Sequence, residues 1–172
     1  GFAATYMEGE PVHRRFAERY GCNLYLARLH GHGLLTDNPL LDYSSDSLLE
    51  SACHALAVGQ KLGKKVILMS TSTGSTLSMI LAANFPDKVH ALITYSPNIK
   101  LADPSAVMLS KPWGLQLARL VVGGKFREYE ASDSFQQYWY TRYRLEGVAG
   151  LQRLLESRMN QNTFKKVNQP FF

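Results

Sequence analysis

The chain has only two cysteines, Cys22 and Cys53. They lie far apart and outside any CxxC spacing, which excludes a zinc ribbon or a dithiol redox site and leaves the compartment open, with a reducing cytoplasm the expectation. No apolar run reaches the ~18 to 20 residues that a membrane helix requires, so no bilayer-spanning segment is expected. The opening GFAATYMEGE has neither the basic start nor the apolar centre of a signal peptide. It begins at Gly1 rather than at Met, so a preceding segment is expected to be missing. Internal repeats and low-complexity tracts are lacking too. What remains, 172 residues at 45% hydrophobic and 19% charged, suits one globular domain with a real core and excludes disordered or fibrous classes.

Charge of one sign is short in one part only. Residues 1–110 carry nine Lys/Arg and nine Asp/Glu, whereas residues 111–172 carry ten against five, so the whole net charge of +5 is C-terminal. Such a surplus can attract nucleic acid, anionic lipid or an acidic substrate. Here the basic residues alternate with acids and form no dense run, the pattern of a solvated face, and no nucleic-acid partner is expected.

Hydrophobic periodicity alternates along the chain. PVHRRFAERYG sets Pro11 at a helix start and Gly21 just past its end. NLYLARL has strand length, and HGHGLLTDNPL reads as a loop. In SLLESACHALAVGQKLG, Ser47 and Glu50 have capping-box spacing, Leu48, Ala52, Ala55 and Leu56 share a helical face, and Gly63 closes the end. KKVILM is a strand too apolar to be half-solvated. STLSMILAANF is a helix stopped by Pro86, and VHALITYS is a further strand. Strands apolar on both faces and separated by amphipathic helices predict an α/β fold, a mostly parallel sheet flanked by helices. Residues 104–165 break the rhythm and read as several aromatic-rich helices, after which KVNQPFF resembles the opening of another strand.

One stretch calls for chemistry. VILMSTSTGST, Val66 to Thr76, drives an apolar strand into small hydroxylated residues at the start of a helix. In open parallel sheets that carboxyl edge binds ligands, and free helix N–H groups there suit an anion or an oxyanion. Three readings stand: Ser72 as a nucleophile on a sharp turn, with Ser70 and Gly74 as its small flanking residues; a phosphate cradle; or a well-capped helix start. A Walker-type cradle would need a lysine, and STGST has none.

Ser70-Thr71-Ser72-Thr73-Gly74, set within KKVILMSTSTGSTLSMILAANFPDKVHALITYSP, resembles the nucleophile elbow G-x-S-x-G of the α/β-hydrolases, with serine in place of the first glycine. The resemblance covers nearly the whole chain. RLHGHG is similar to a loop these enzymes carry ahead of the elbow, and the opening Gly1-Phe2 looks like the end of their His-Gly-x oxyanion loop. The resemblance implies Ser72 as catalytic nucleophile, the Phe2 and Thr73 backbone N–H groups as oxyanion donors, no cofactor or metal, and a small-molecule acyl ester as substrate. The most similar branch is that of the carboxylesterases and monoacylglycerol lipases. A noncatalytic ligand binder on the same fold, or hydrolysis of a thioester, lactone or carbon–carbon bond, are the alternatives.

Such a serine needs a histidine to take its proton and a carboxylate to orient that histidine. The only histidine after Ser72 is His90, ahead of the strand ALITY and at the wrong sheet edge. His13 and His54 fall in helices. His30 and His32 invite a metal reading but lack a third ligand nearby. Asp87 belongs to a turn at the far edge, and Asp103 is a weak substitute acid. The triad partners are therefore expected beyond Phe172, with the chain a segment of a longer enzyme. By resemblance residues 1–103 form the hydrolase core, 104–165 a helical lid inserted after the strand that follows the elbow, and 166–172 the start of the next core strand. Among the lid aromatics, Trp113 and Trp139 are the candidate substrate-binding residues, although such stripes most often only pack.

Overall fold

A computed structural model describes residues 1–172. Helix α1 (Val12–Tyr20) follows Pro11 and ends on Gly21 in the left-handed region at φ 62°, where the Gly21 N–H closes on the last turn. Helix α2 (Ser45–Leu62) begins earlier than the Ser47 cap expected from spacing. Ser44 is the N-cap: its hydroxyl accepts the Ser47 N–H at 3.1 Å, and the Ser47 hydroxyl accepts the Ser44 N–H at 3.2 Å. The reciprocal pair satisfies two otherwise orphan donors, which a Glu50 partner would do one turn too late. Leu48, Ala52 and Leu56 are the buried face of α2.

Strand β1 (Ile67–Thr71), helix α3 (Thr73–Asn84) and strand β2 (Ala91–Tyr95) form a β-α-β unit. β1 and β2 are parallel, in register from Ile67 opposite Ala91 to Thr71 opposite Tyr95. Helix α3 is buried nearly all round, from Thr73 through Ala83, because the sheet, α2 and α7 (Gln161–Lys165) pack against it. On the far side of β2, Leu92 bridges in parallel to Phe171, and the Thr94 N–H donates to the Phe172 carbonyl at 2.8 Å.

The segment NLYLARL, expected as a strand, is not one. A strand exists only where a neighbour pairs its backbone about 4.8 Å away, and here a cleft of about 1030 Å³ separates residues 22–29 from β1. For the same reason β1 is less covered than its apolar sequence predicted: Ile67 is 37% exposed on that open side.

Residues 104–165 are not wholly helical. A 3-10 turn (Pro104–Ser110) and helix α4 (Gly114–Val122) lead into strand β3 (Phe126–Glu128), helix α5 (Asp133–Gln136) and strand β4 (Arg142–Arg144), and β3 and β4 pair antiparallel. Arg142 and Arg144 both stack on the Phe126 ring across that pair, a cross-strand cation–π contact invisible to helical periodicity. Helix α6 (Leu145–Arg158) and helix α7 (Gln161–Lys165) complete the chain. α6 buries Val148, Ala149, Leu151, Leu154 and Leu155 in one cluster with Leu48, Leu56, Leu77 and Leu92, so a single core runs beneath both halves of the chain. Gly150 permits its close approach, since a Cβ there would lie 2.3 Å from the Tyr43 carbonyl oxygen.

Candidate active site

Ser72 stands alone between β1 and α3, at φ 52° and ψ −118°. Few non-glycine residues adopt positive φ, and such a conformation persists only where its surroundings impose it. Here they do. The Ser72 N–H donates to the Tyr95 carbonyl at 2.9 Å, and the Ser72 carbonyl accepts the N–H groups of Ser75, Thr76 and Asn98 at 2.9, 3.2 and 3.3 Å. The chain turns from strand to helix in one residue, leaving a half-exposed serine at the carboxyl edge of the sheet.

Small residues make that turn possible. A Cβ on Gly74 would meet the Ser70 Cβ at 3.4 Å, so neither position has room for a branched side chain. Below them the Ser75 hydroxyl donates to the Ser70 carbonyl at 2.9 Å, and the Thr76 hydroxyl donates to the Asn98 carbonyl at 2.5 Å. These bonds tie α3 to the ends of both strands. Thr73 opens α3, so its N–H has no intrahelical acceptor.

Phe2 is brought toward this edge through Tyr43. Its ring packs edge-on against Tyr43 at 5.4 Å and Tyr143 at 5.2 Å, and the Phe2 N–H makes no main-chain hydrogen bond. The Tyr43 hydroxyl in turn faces the Thr73 hydroxyl, although neither closes a well-formed hydrogen bond. Burial pushes the Tyr43 phenol well above its usual range, so it stays a neutral donor.

His32 lies against Tyr43, ring centroids 5.7 Å apart. Its Nδ1 donates to the His30 carbonyl at 2.9 Å, which leaves Nε2 as a buried acceptor without a partner. Burial drives the imidazole down to about 4, so it is neutral at ordinary pH. Sequence reasoning singled out His32 only for metal binding and missed Tyr43. The signal for a packed role was the run HGHG, whose Gly31 and Gly33 both take positive φ and fold His32 inward. His30 is exposed, and no group of three metal-ligating side chains comes together anywhere in the chain.

The other titratable candidates are committed elsewhere or remote. His13 is buried beside Glu10, 3.2 Å away. His54 is exposed on α2, and His90 is exposed just ahead of β2, its N–H donating to the Val66 carbonyl at the opposite end of the strand from Ser72. Asp103 caps the 3-10 turn by accepting the N–H and hydroxyl of Ser105 at 2.9 and 2.7 Å. Those bonds hold its carboxyl below the usual range. No histidine or carboxylate of this chain hydrogen-bonds Ser72.

Trp113 caps the start of α4 and is 74% exposed. Trp139 stacks on Phe135 at 4.5 Å, and its backbone bridges to Ala4 beside the Phe2 loop. Ser70, Thr71 and Gly74 line the large cleft, whose walls are β1, the 22–29 segment, the opening segment with α1, and faces of α2 and α3.

Solved structures share the fold of this chain. One of the metagenome-derived lipolytic enzymes LipS and LipT superposes with a TM-score of 0.76 at 15% identity, covering 99% of this chain and 66% of that one. E-2-(acetamidomethylene)succinate hydrolase superposes at 0.55 with 19% identity, over 99% of this chain and 68% of that one. An extracellular α/β-hydrolase from a Paenibacillus species does so at 0.51 with 14% identity, over 99% and 85%.

The fold is that of the α/β-hydrolases.

No protein-family model matches the sequence, and neither does any curated protein. This chain spans just under two thirds of the lipolytic enzyme's length. Within the α/β-hydrolase fold, its strand-turn-helix unit at residues 67–84 occupies the carboxyl edge, where open parallel sheets place their ligands.

Proposed function

We propose that Ser72 is the nucleophile of a serine hydrolase that cleaves a carboxylic ester of modest size through an acyl-enzyme intermediate, in the manner of carboxylesterases and monoacylglycerol lipases. The observation that carries this reading is the backbone of Ser72 itself. A capped helix start needs no positive φ, and a phosphate cradle needs several N–H groups converging on an anion. A nucleophile elbow needs one strained residue whose hydroxyl stands clear of the strand and the helix. Four other non-glycine residues, Ala3, Leu40, Ser96 and Trp113, also have positive φ; Ser72 differs in its place at the strand-to-helix turn, where four main-chain hydrogen bonds hold strain of about 1–3 kcal/mol.

In this reading the Ser72 hydroxyl attacks the ester carbonyl, and its proton passes to an imidazole oriented by a carboxylate. The oxyanion is held by the N–H groups of Thr73 and Phe2, each such donor lowering the barrier by about 3 kcal/mol. Residues 104–165 serve as a lid over this edge, and the aromatics near Trp139 line the acyl pocket. Since no histidine of this chain meets Ser72, the base and its acid have to come from outside these residues. That requirement keeps a second reading in play, a ligand binder in which Ser72 is only a turn residue.

Reaction with a fluorophosphonate probe separates the two. In the intact protein an activated Ser72 is labelled, and Ser72→Ala abolishes both labelling and p-nitrophenyl ester cleavage. Ester cleavage that survives Ser72→Ala would refute the nucleophile assignment. Absence of labelling, together with saturable binding of an ester or carboxylic acid, would establish the binder.

A further inference from the structure

The main chain that carries the Phe2 N–H is held from a distant part of the sequence. The Tyr140 N–H donates to the Ala3 carbonyl at 2.9 Å and the Thr5 N–H to the Tyr138 carbonyl at 3.0 Å, with Ala4 bridging antiparallel to Trp139 between them. Ala3 is buried and sits at φ 61°, a turn that its surroundings have to impose on a residue other than glycine. So short a ladder is not stable by itself. The elements flanking residues 138–140 give it little support, since α5 has four residues and β4 three.

The Tyr140 side chain fastens it. The ring packs against the core, and the hydroxyl reaches the HGHG loop. There it accepts the Leu34 N–H at 2.5 Å and donates to the Leu34 carbonyl at 2.8 Å, with the Gly31 carbonyl 3.3 Å away. Leu34 and Leu35 are exposed, so water would satisfy those main-chain groups equally well, and the loop itself does not need the phenol. The same loop meets Phe2 by a second route, His32 packing on Tyr43 and Tyr43 on Phe2. Tyr140 therefore joins the Phe2 loop, through its N–H, to the loop that packs behind Phe2, through its hydroxyl.

We infer that Tyr140 is a positioning residue for the Phe2 oxyanion donor, its hydroxyl holding the 138–140 segment so that the Ala3 carbonyl, and with it the Phe2 main chain, stays in place. The inference rests on the ester-hydrolase reading of Ser72 and adds to it a residue that acts through Ala3 rather than on the substrate. An oxyanion donor works only if it is fixed before the charge develops, and a displacement of about 1 Å costs about a hundredfold in rate.

Tyr140→Phe in the intact protein tests it, because the variant loses the hydroxyl and keeps the ring and the main-chain bonds. With Ser72 counted by end-point fluorophosphonate labelling, kcat per labelled site should fall about tenfold to a hundredfold while KM stays nearly constant. Affinity for a trifluoromethyl ketone, whose adduct with Ser72 carries an oxyanion, should fall by the same factor. Affinity for an ether analogue of the ester, which has no carbonyl, should hold. Amide hydrogen exchange of residues 2–5 should quicken while that of β1 and α3 is unchanged. A merely structural tyrosine would lower the melting temperature and leave kcat per labelled site and the ketone affinity where they were. That result, or exchange at residues 2–5 that does not respond, overturns the inference and leaves Ser72 as nucleophile. Ester cleavage that survives Ser72→Ala overturns the hydrolase reading, and this role for Tyr140 with it.

Discussion

The Ser72 N–H and the Tyr95 carbonyl, 2.9 Å apart, join the two strands of the sheet at the residue where the first of them ends. The parallel ladder thereby extends one residue beyond β1, into the turn. Ser72 is consequently held as part of the sheet on its N–H side and as part of the helix on its carbonyl side. Its φ of 52° is the conformational cost of belonging to both.

A cost of that kind can be relieved. Glycine adopts positive φ without the Cβ penalty, so Ser72→Gly is expected to raise the stability of the chain by about 1 kcal/mol, a shift of about 2–4 °C in midpoint at this size. Ser72→Val should lower it. Thermal melts of the two variants beside Ser72→Ala test the point. A Ser72→Gly protein less stable than the parent would show that the turn is unstrained and would remove the main support for the elbow.

Gly74 and Ser70 should behave as a coupled pair. Gly74→Ala brings its Cβ to an ordinary 3.4 Å from the Ser70 Cβ and is expected to be nearly neutral. Gly74→Val overfills the same space and should cost roughly 1–3 kcal/mol, much of it recovered in a Ser70→Gly background. Urea titration of the single and double variants gives the coupling directly, and additive costs would mean that the clash lies elsewhere.

How far such detail could be read beforehand differs along the chain. The β-α-β unit was legible because Val66–Met69 and Ala91–Tyr95 are apolar on both faces and α3 starts in a run of small hydroxyls. Those properties are local. The expectation for NLYLARL failed because being a strand is a property of its neighbour, and the cleft beside β1 leaves residues 22–29 without one. The β3–β4 pair was illegible for a related reason: each has three residues, too few for a period, and their pairing depends on a contact between residues 126–128 and 142–144. In the site, Ser72 announced itself through its flanking small residues. Tyr43 did not, since only the folded chain sets its ring between Phe2 and His32.

Gly150 is the position where that arrangement is most exposed to perturbation. A Cβ there would lie 2.3 Å from the Tyr43 carbonyl and 3.0 Å from its ring. Gly150→Ala should therefore cost roughly 1–3 kcal/mol by overpacking, despite alanine's higher helix propensity. Chemical denaturation reads the loss, and a variant as stable as the parent would mean that α6 can withdraw from the Leu40–Tyr43 segment.

His32 predicts the direction of pH dependence. Its folded value is about 4, against an ordinary 6.5, so between those limits the unfolded chain binds a proton that the folded chain refuses. Stability therefore falls as pH is lowered from about 6.5 toward 4, by on the order of 2–3 kcal/mol from this group. Asparagine can replace the donor to the His30 carbonyl without titrating. His32→Asn should flatten the profile in that window relative to the parent, whatever carboxylates contribute to both. Parallel profiles would place the imidazole in water rather than in the core.

The two tryptophans offer the sharpest test of where an acyl chain would lie. Trp113 is 74% exposed at the start of α4, with little of its ring packed on the core. Trp139 stacks on Phe135, and its backbone bridges to Ala4, two residues from the Phe2 N–H. If the ester reading holds, Trp139→Ala enlarges the acyl pocket and shifts the preferred chain length across a series of p-nitrophenyl esters. A buried methylene is discriminated by about 1–3 kcal/mol, so the shift should appear as a change of tenfold or more in the ratio of kcat/KM between adjacent long and short esters. Trp113→Ala should leave that ratio unchanged. Trp139 also packs, so its variant will lose some thermal stability, and the ratio distinguishes the roles because loss of folded enzyme scales every ester alike. A uniform fall in activity in Trp139→Ala, with the ratio fixed, would assign Trp139 to packing. A ratio that moves in Trp113→Ala instead would place the substrate on α4 and away from the Phe2 loop.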